Sequence, residues 1–204
     1  MYGRGHGAPG IDETGGVGVP DLEGRRVLLR QPRPEDVETR LVLGADPEIA
    51  RMFGTVPPPV VSRQMAEQWY ERLAKGHDPY SWVIEHEGRF IGTARLHSVR
   101  LHDPERRAAY AIGILDPTVL GQGLGTETTR LVLAYAFDEL GLHRVDLRVI
   151  AYNTRAIACY RKCGFVEEGR ERETVLVEGR WHDDVMMSLL EHEYCALAPG
   201  WAGE

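Results

Sequence analysis

The chain is poor in several features, and each scarcity removes a class of function. Nowhere do its 204 residues hold the roughly 18 consecutive apolar positions that a membrane span needs. Its N-terminal stretch has many glycines and no apolar run, unlike a secretory signal, so a cytoplasmic protein without membrane insertion is expected. Cysteine is limited to Cys159, Cys163 and Cys195, an odd number that makes no disulfide framework, and reduced thiols are expected. Lysine is nearly absent, with Lys75 and Lys162 alone among the 24 basic residues, a skew read as coding bias rather than function. Positive charge is in deficit overall: 24 basic against 31 acidic residues gives a net charge of -7. Such a field repels phosphate backbones and favours cationic partners, which argues against nucleic acid. The eight histidines show no metal-ligand spacing such as H-E-x-x-H, and Cys159 and Cys163 are read as helix packing rather than as ligands beside His143, so no metal is expected.

The composition, 43% hydrophobic and 27% charged, suits one globular domain with a sizeable core. Residues 1–22 hold seven glycines without an apolar period and are read as a flexible tail. Residues 23–192 carry the folded domain, and 193–204 are read as a C-terminal tail. Val27 to Arg30 reads as a strand. Helices are expected from about Pro34, with Glu35 and Asp36 favouring the positive end of its dipole, at Asp46 to Met52, and at Ser62 to Lys75. Tyr80 to Glu85 and Phe90 to Val99 read as a hairpin joined by His86-Glu87-Gly88-Arg89, followed by a strand at Ala108 to Leu115. A long helix after Gly121 to Gly125, a strand at Arg144 to Ile150, a helix at Asn153 to Cys163 and a closing hairpin around Glu178-Gly179-Arg180 complete the order. With several hairpins and one clear strand-helix-strand crossover, the economical architecture is α/β of the α+β type: a mixed, mostly antiparallel sheet of about seven strands flanked by helices.

Two segments carry chemistry. Leu120-Gly121-Gln122-Gly123-Leu124-Gly125-Thr126 lies between a strand and a long helix. Glycines there let backbone N–H groups approach an anion, and the helix start adds unsatisfied donors, which suits a pyrophosphate; a tight ligand-free turn is the alternative. The spacing fits neither a nucleotide P-loop nor a dinucleotide fingerprint. Downstream, Asn153 has the side chain of a helix N-cap and Tyr160 lies two turns later on the same face. Read by itself, that is a capped amphipathic helix with a core tyrosine.

Together these segments resemble the GNAT superfamily of acyl-CoA N-acyltransferases. The resemblance runs from about Arg25 to Leu190. It extends to habits of the ribosomal-protein alanine N-acetyltransferase branch at Pro34-Glu35-Asp36, Asp46-Pro47-Glu48, Ile91-Gly92-Thr93, Gly164 to Gly169 and Gly179 to Asp183. It implies the GNAT fold, with a sheet splayed in the middle around acetyl-CoA. By position it implies pantetheine contacts at Gly113, Ile114 and Leu115, a pyrophosphate loop of Gly121, Gln122, Gly123, Leu124, Gly125 and Thr126, a cofactor contact at Asn153, and Tyr160 as proton donor to the departing thiolate. Leu120 replaces the usual Gln or Arg, which should weaken rather than abolish pyrophosphate binding. Ala111 stands where the branch commonly has a carboxylate, and Arg148 where others have Glu, so the usual base is missing; His97, Glu85, Tyr110 or water are the substitutes considered.

The expected activity is direct acetyl transfer from acetyl-CoA to a primary amine in a ternary complex. A protein N-terminus is the first acceptor by branch resemblance. A small polyamine or aminoglycoside is the second, since the loop and the Tyr160 helix also resemble aminoglycoside 6'-N-acetyltransferases. A silent acetyl-CoA-binding module and a homodimer stay open. Trp69, Trp82 and Trp181 are read as core or cleft wall.

Overall fold

The computed structural model describes residues 10–11, 17–58, 60–75 and 79–201. Most of the glycine-rich segment expected to be flexible lies outside them. Within it, Gly10–Ile11 (β1) and Val17–Gly18 (β2) pair antiparallel, while Leu22–Glu23 (β3) already joins the main sheet, so the expected boundary falls inside a strand. Val27–Arg30 (β4) precedes three helices, Asp36–Leu43 (α1), Pro47–Met52 (α2) and Arg63–Ala74 (α3). The starts of α2 and α3 follow from capping: Asp46 accepts from the Ile49 N–H and Ser62 from the Met65 N–H. Asp36 does more than favour a helix dipole. Its carboxylate is buried, takes both Nη atoms of buried Arg30 at 2.7 and 2.9 Å, and accepts the Arg33 N–H at 2.7 Å.

Ser81–His86 (β5) and Arg89–Arg100 (β6) meet at Glu87-Gly88, both with positive φ (49° and 73°), the twist that a two-residue hairpin demands. Arg107–Ile114 (β7), Leu124–Ala134 (α4) with a π-turn over Tyr135–Glu139, and Arg144–Ile150 (β8) form the crossover. Thr154–Lys162 (α5), Val166–Val177 (β9), Arg180–Leu190 (β10) and Glu191–Trp201 (α6) complete the chain. Residues 193–201 are therefore helical rather than a tail. Buried Tyr194 stacks on Phe137 at 4.8 Å and donates to Asp138, and that packing outweighs the breakers Pro199 and Gly200.

The main sheet has eight strands in the order β3-β4-β5-β6-β7-β8-β10-β9, one more than expected because of short β3. Every neighbouring pair is antiparallel except β7 with β8, and those two share only the rungs Arg107↔Arg144, Ala108↔Val145 and Ala109↔Asp146. Beyond Ala109 and Asp146 the strands part. The closed end is clamped by charge: Arg107 reaches Asp146 at 2.6 Å, Arg144 reaches Asp146 and Glu168 each at 2.5 Å, and Ser188 donates to Glu168 at 2.8 Å. One face of the sheet, with Trp82, Ile84, Leu96 and Val145, packs on α4 and the π-turn after it, whose Val132, Leu133 and Ala136 are fully buried. Trp82 is thus core as expected. Trp69 lies 5.0 Å from Phe90, whereas Trp181, read as core or cleft wall, is 57% exposed on the outer hairpin.

The clamp makes stability depend on pH in one direction. Arg144, with help from Ser188, holds the Glu168 carboxyl down to about 2, against an ordinary 4.5. A group whose folded pKa is depressed contributes in full above its unfolded value and loses that contribution as pH falls through the folded one. Urea unfolding should therefore find Glu168→Gln less stable than wild type at pH 6, with the gap closing between pH 4.5 and 2. A gap independent of pH would assign the loss to packing.

Candidate functional site

The parting of β7 from β8 creates a cleft of about 530 Å³, lined from both strands, the glycine loop, α5 and the end of α2. Its backbone chemistry follows from the ladder. Leu115 donates to Ile91 at 2.7 Å, and in an antiparallel pair the bonded residues alternate. Gly113 and Leu115 therefore turn their N–H groups to β6, while Ile112 and Ile114 turn theirs into the gap. On the far side Ala151 donates to Asp183, so by the same alternation the peptide groups of Arg148 face the gap. Of the three strand positions expected to present backbone to a ligand, Ile114 is aimed to do so, and Ile112 is one that sequence missed. Gly113 matters for another reason: a Cβ there would lie 3.0 Å from the Phe53 ring, which closes the cleft from α2.

The loop sits at the mouth. Gly121 (φ 79°) and Gly123 (φ 84°) occupy the left-handed region, whereas a Cβ at Gly125 would touch Ile114 and Cys159 at 3.6 and 3.7 Å. Two glycines thus serve the turn, while a Cβ at the third would make only ordinary van der Waals contacts. The N–H groups of Thr126 and Glu127 both reach the Gly123 carbonyl, and among the described residues those of Gly121, Gln122, Gly123, Leu124 and Gly125 have no backbone acceptor. Five donors without a backbone acceptor thus lie at or just before a helix N-terminus, the setting an anion site requires. Arg26 braces the loop from the start of β4, donating to the Gln122 carbonyl at 2.7 Å and to Glu127 at 2.9 Å. A contact about 100 residues apart in sequence leaves no local signal. Behind the loop, Thr129 donates to the Gly125 carbonyl and is bonded to the Tyr110 hydroxyl.

Asn153 and Tyr160 are both buried and both line the cleft, as their shared helix face predicted. The Asn153 amide works at both ends: its oxygen accepts the Ala156 N–H at 3.1 Å and its nitrogen donates to the Met52 carbonyl at 3.3 Å. Tyr152 also donates to the Arg51 carbonyl, so the β8–α5 junction holds α2 in place as a wall. The Tyr160 hydroxyl has no hydrogen-bond partner among the described residues, and burial, then the nearby thiols, push its phenol well above the usual range. Arg155 and Lys162 of α5 add cations to the same lining.

The substitutes for the missing base fare differently. Tyr110 is buried, which pushes its phenol up, and its hydroxyl is engaged with Thr129. Glu85 is bound to Arg30 at 2.5 Å and Arg33 at 3.4 Å. His97 stands opposite Ala109, outside the cleft lining, with Ser98 at 3.3 Å. Arg148 faces the cleft and pairs with Glu171 at 2.6 Å. Among the described residues, the carboxylate lining the cleft is Asp184 of β10, which the sequence reading did not single out.

Cys159 also lines the cleft, 3.4 Å from the Thr126 hydroxyl. A hydrogen bond from Cys163 lowers its thiol against the opposing effect of burial, while Cys163 is raised. No group of acidic, histidine and cysteine side chains suited to a metal exists among the described residues, and no described helix is long and apolar enough to cross a membrane.

Comparison with known proteins gives concordant findings. A family model described as an acetyltransferase (GNAT) domain matches residues 26–166. The spermidine N(1)-acetyltransferase of Escherichia coli K12 is 31% identical over 146 residues, covering 67% of this chain and 77% of that one. YdaF of Bacillus subtilis, provisionally named a ribosomal N-acetyltransferase, is 32% identical over 119 residues, covering 58% of this chain and 60% of its own. The crystal structure of spermidine N-acetyltransferase from Vibrio cholerae with CoA and spermine is similar at a TM-score of 0.69 and 27% identity, covering 84% of this chain and 99% of that one.

The position of Cys159 makes a labelling prediction. In a Cys195→Ser background, iodoacetamide at neutral pH should alkylate Cys159 ahead of buried Cys163, and saturating acetyl-CoA should slow the reaction. Mass spectrometry of the digested protein reads the site; equal labelling of both, unaffected by acetyl-CoA, would remove Cys159 from the cleft.

Proposed function

The chain belongs to the GNAT acetyltransferase family and is an acetyl-CoA-dependent N-acyltransferase, and from this we propose that its acceptor is a small polyamine, acetylated by direct attack within a ternary complex. The observation that carries the acceptor class is the far wall of the cleft, where Ile49, Met52, Phe53 and Val175 offer an apolar track in a chain of net charge -7. Such a track suits methylenes, and the overall field suits a polycation. The names of the Escherichia coli and Vibrio cholerae relatives support the same class. YdaF keeps a protein N-terminus as the second reading.

Acetyl-CoA supplies an activated acyl group on a thiol that leaves with negative charge. Its anionic pyrophosphate fits the N–H groups of Gly121 to Gly125, with Arg155 and Lys162 placed for further phosphate charge. Ile112 and Ile114 present backbone donors and acceptors to the amide-bearing arm, and an N–H aimed into the gap stabilises developing negative charge on a carbonyl oxygen. Asn153 shapes the start of α5 and holds Met52 rather than acting as a free amide. The role of Tyr160 is narrower than proton delivery. A phenol raised by burial keeps its proton more tightly than an ordinary thiol does, so Tyr160 lends a hydrogen bond to the departing sulfur instead of surrendering the proton outright. With Ala111 in place of a carboxylate, the amine must arrive deprotonated.

Three outcomes follow. Val at position 123 would force a β-branched residue to φ 84°, so Gly123→Val should weaken acetyl-CoA binding about 30-fold or more in calorimetry while circular dichroism stays unchanged. Tyr160→Phe should lower kcat by about 10- to 100-fold, the worth of one hydrogen bond to a charged group, with little change in cofactor affinity. In steady-state thiol release with a panel of amines, kcat/KM should climb with pH to the acceptor's own pKa. A plateau near pH 6 to 7 shared by all acceptors would mean that an enzyme group acts as base. Turnover of peptide N-termini in preference to spermidine would decide for the second reading.

A further inference from the structure

We infer that Asp184 anchors a second ammonium group of the acceptor, so that the enzyme selects diamines and polyamines over monoamines; the inference rests on the polyamine reading above. Three carboxylates crowd this corner of the sheet, and two are already engaged. Glu171 lies 2.6 Å from Arg148, and the Asp183 carboxylate accepts the Glu173 N–H at 3.0 Å. Asp184, registered opposite both Ile150 and Glu171, lines the cleft and makes no side-chain hydrogen bond or ion pair among the described residues. It is half-buried, so a cation reaching it from the cleft is partly shielded from water and pairs more strongly than at an open surface.

The placement tells which nitrogen is held. A carboxylate bonded to the attacking nitrogen would stabilise its protonated form, which has no lone pair to attack with. Asp184 belongs to β10, one strand beyond the parted pair, and lines the same cleft as the apolar Phe53 and as Ile112 and Ile114 of the gap. That geometry fits an ammonium at the end of a methylene chain whose other end lies in the gap.

The test uses the full chain and steady-state thiol release from acetyl-CoA with propylamine, 1,3-diaminopropane, putrescine, cadaverine and spermidine. Wild type should favour one of the diamines or spermidine over propylamine by more than roughly tenfold in kcat/KM, on the scale of one charged hydrogen bond. Asp184→Asn should raise KM for the favoured diamine roughly 10- to 100-fold with kcat little changed, so that the preference collapses. Asp184→Glu, whose carboxylate reaches about one methylene further, should move the optimum to a shorter diamine, a shift that a merely structural residue would not produce; it also supplies the answer should the Asn variant fold poorly. Diamine preference unchanged in both variants overturns the inference and leaves the polyamine reading intact. A wild type that acetylates peptide N-termini and no diamine overturns both.

Discussion

Everything in this molecule that bears on function depends on one unfinished ladder. β7 and β8 are the single parallel pair in the main sheet, and they hold together for three rungs before diverging. Strand backbone inside a protein needs hydrogen-bond partners, and a parting in mid-sheet leaves the peptide groups of Ile112, Ile114 and Arg148 looking across a gap. A ligand with an amide-bearing arm can take the place of the missing strand. The gap is kept from closing or tearing by opposing devices: the Arg107–Asp146–Arg144–Glu168 cluster binds the closed end, while Phe53 against Gly113 and the glycine loop occupy the open one.

The same parting explains why side chains contribute so little obvious catalysis. The cleft is furnished with backbone donors, a helix N-terminus and one unpartnered phenol, all of which favour negative charge on the acyl side of the reaction. Little on the amine side removes a proton. Tyr110 and Glu85 have chemistry suited to a base but are committed to Thr129 and to Arg30, and the cleft-lining position on β7 where a carboxylate was expected is Ala111. Arg148 does not make up for this: a cation in the lining favours a neutral amine, but Glu171 neutralises it.

Sequence made the secondary structure and the glycine loop legible because both are written locally: alternation and 3.6 periodicity mark elements, and Gly121 and Gly123 sit at φ values that favour glycine. The resemblance to a known superfamily then placed Tyr160 and Asn153 on the cleft wall. What could not be read was long-range. Arg26 bracing Gln122, α2 swinging over to meet Asn153, and Asp184 entering the cavity are contacts between segments with no shared local pattern. Asp36 was legible as a helix-start acid but not as the buried partner of Arg30, and α6 was hidden because its stability comes from Phe137 and Asp138 rather than from its own residues. At Gly113 to Leu115, the resemblance located the strand, and the ladder's alternation decided which of its peptides can face a ligand.

The double engagement of Asn153 has a mechanical consequence. Its oxygen caps the first turn of α5, and its nitrogen holds the carbonyl of Met52 at the end of α2. Met52 and Asn153 both line the cleft, so a single amide ties together two of its walls. A displacement of either wall is transmitted to the other through one side chain, and the two walls of the cavity cannot adjust independently.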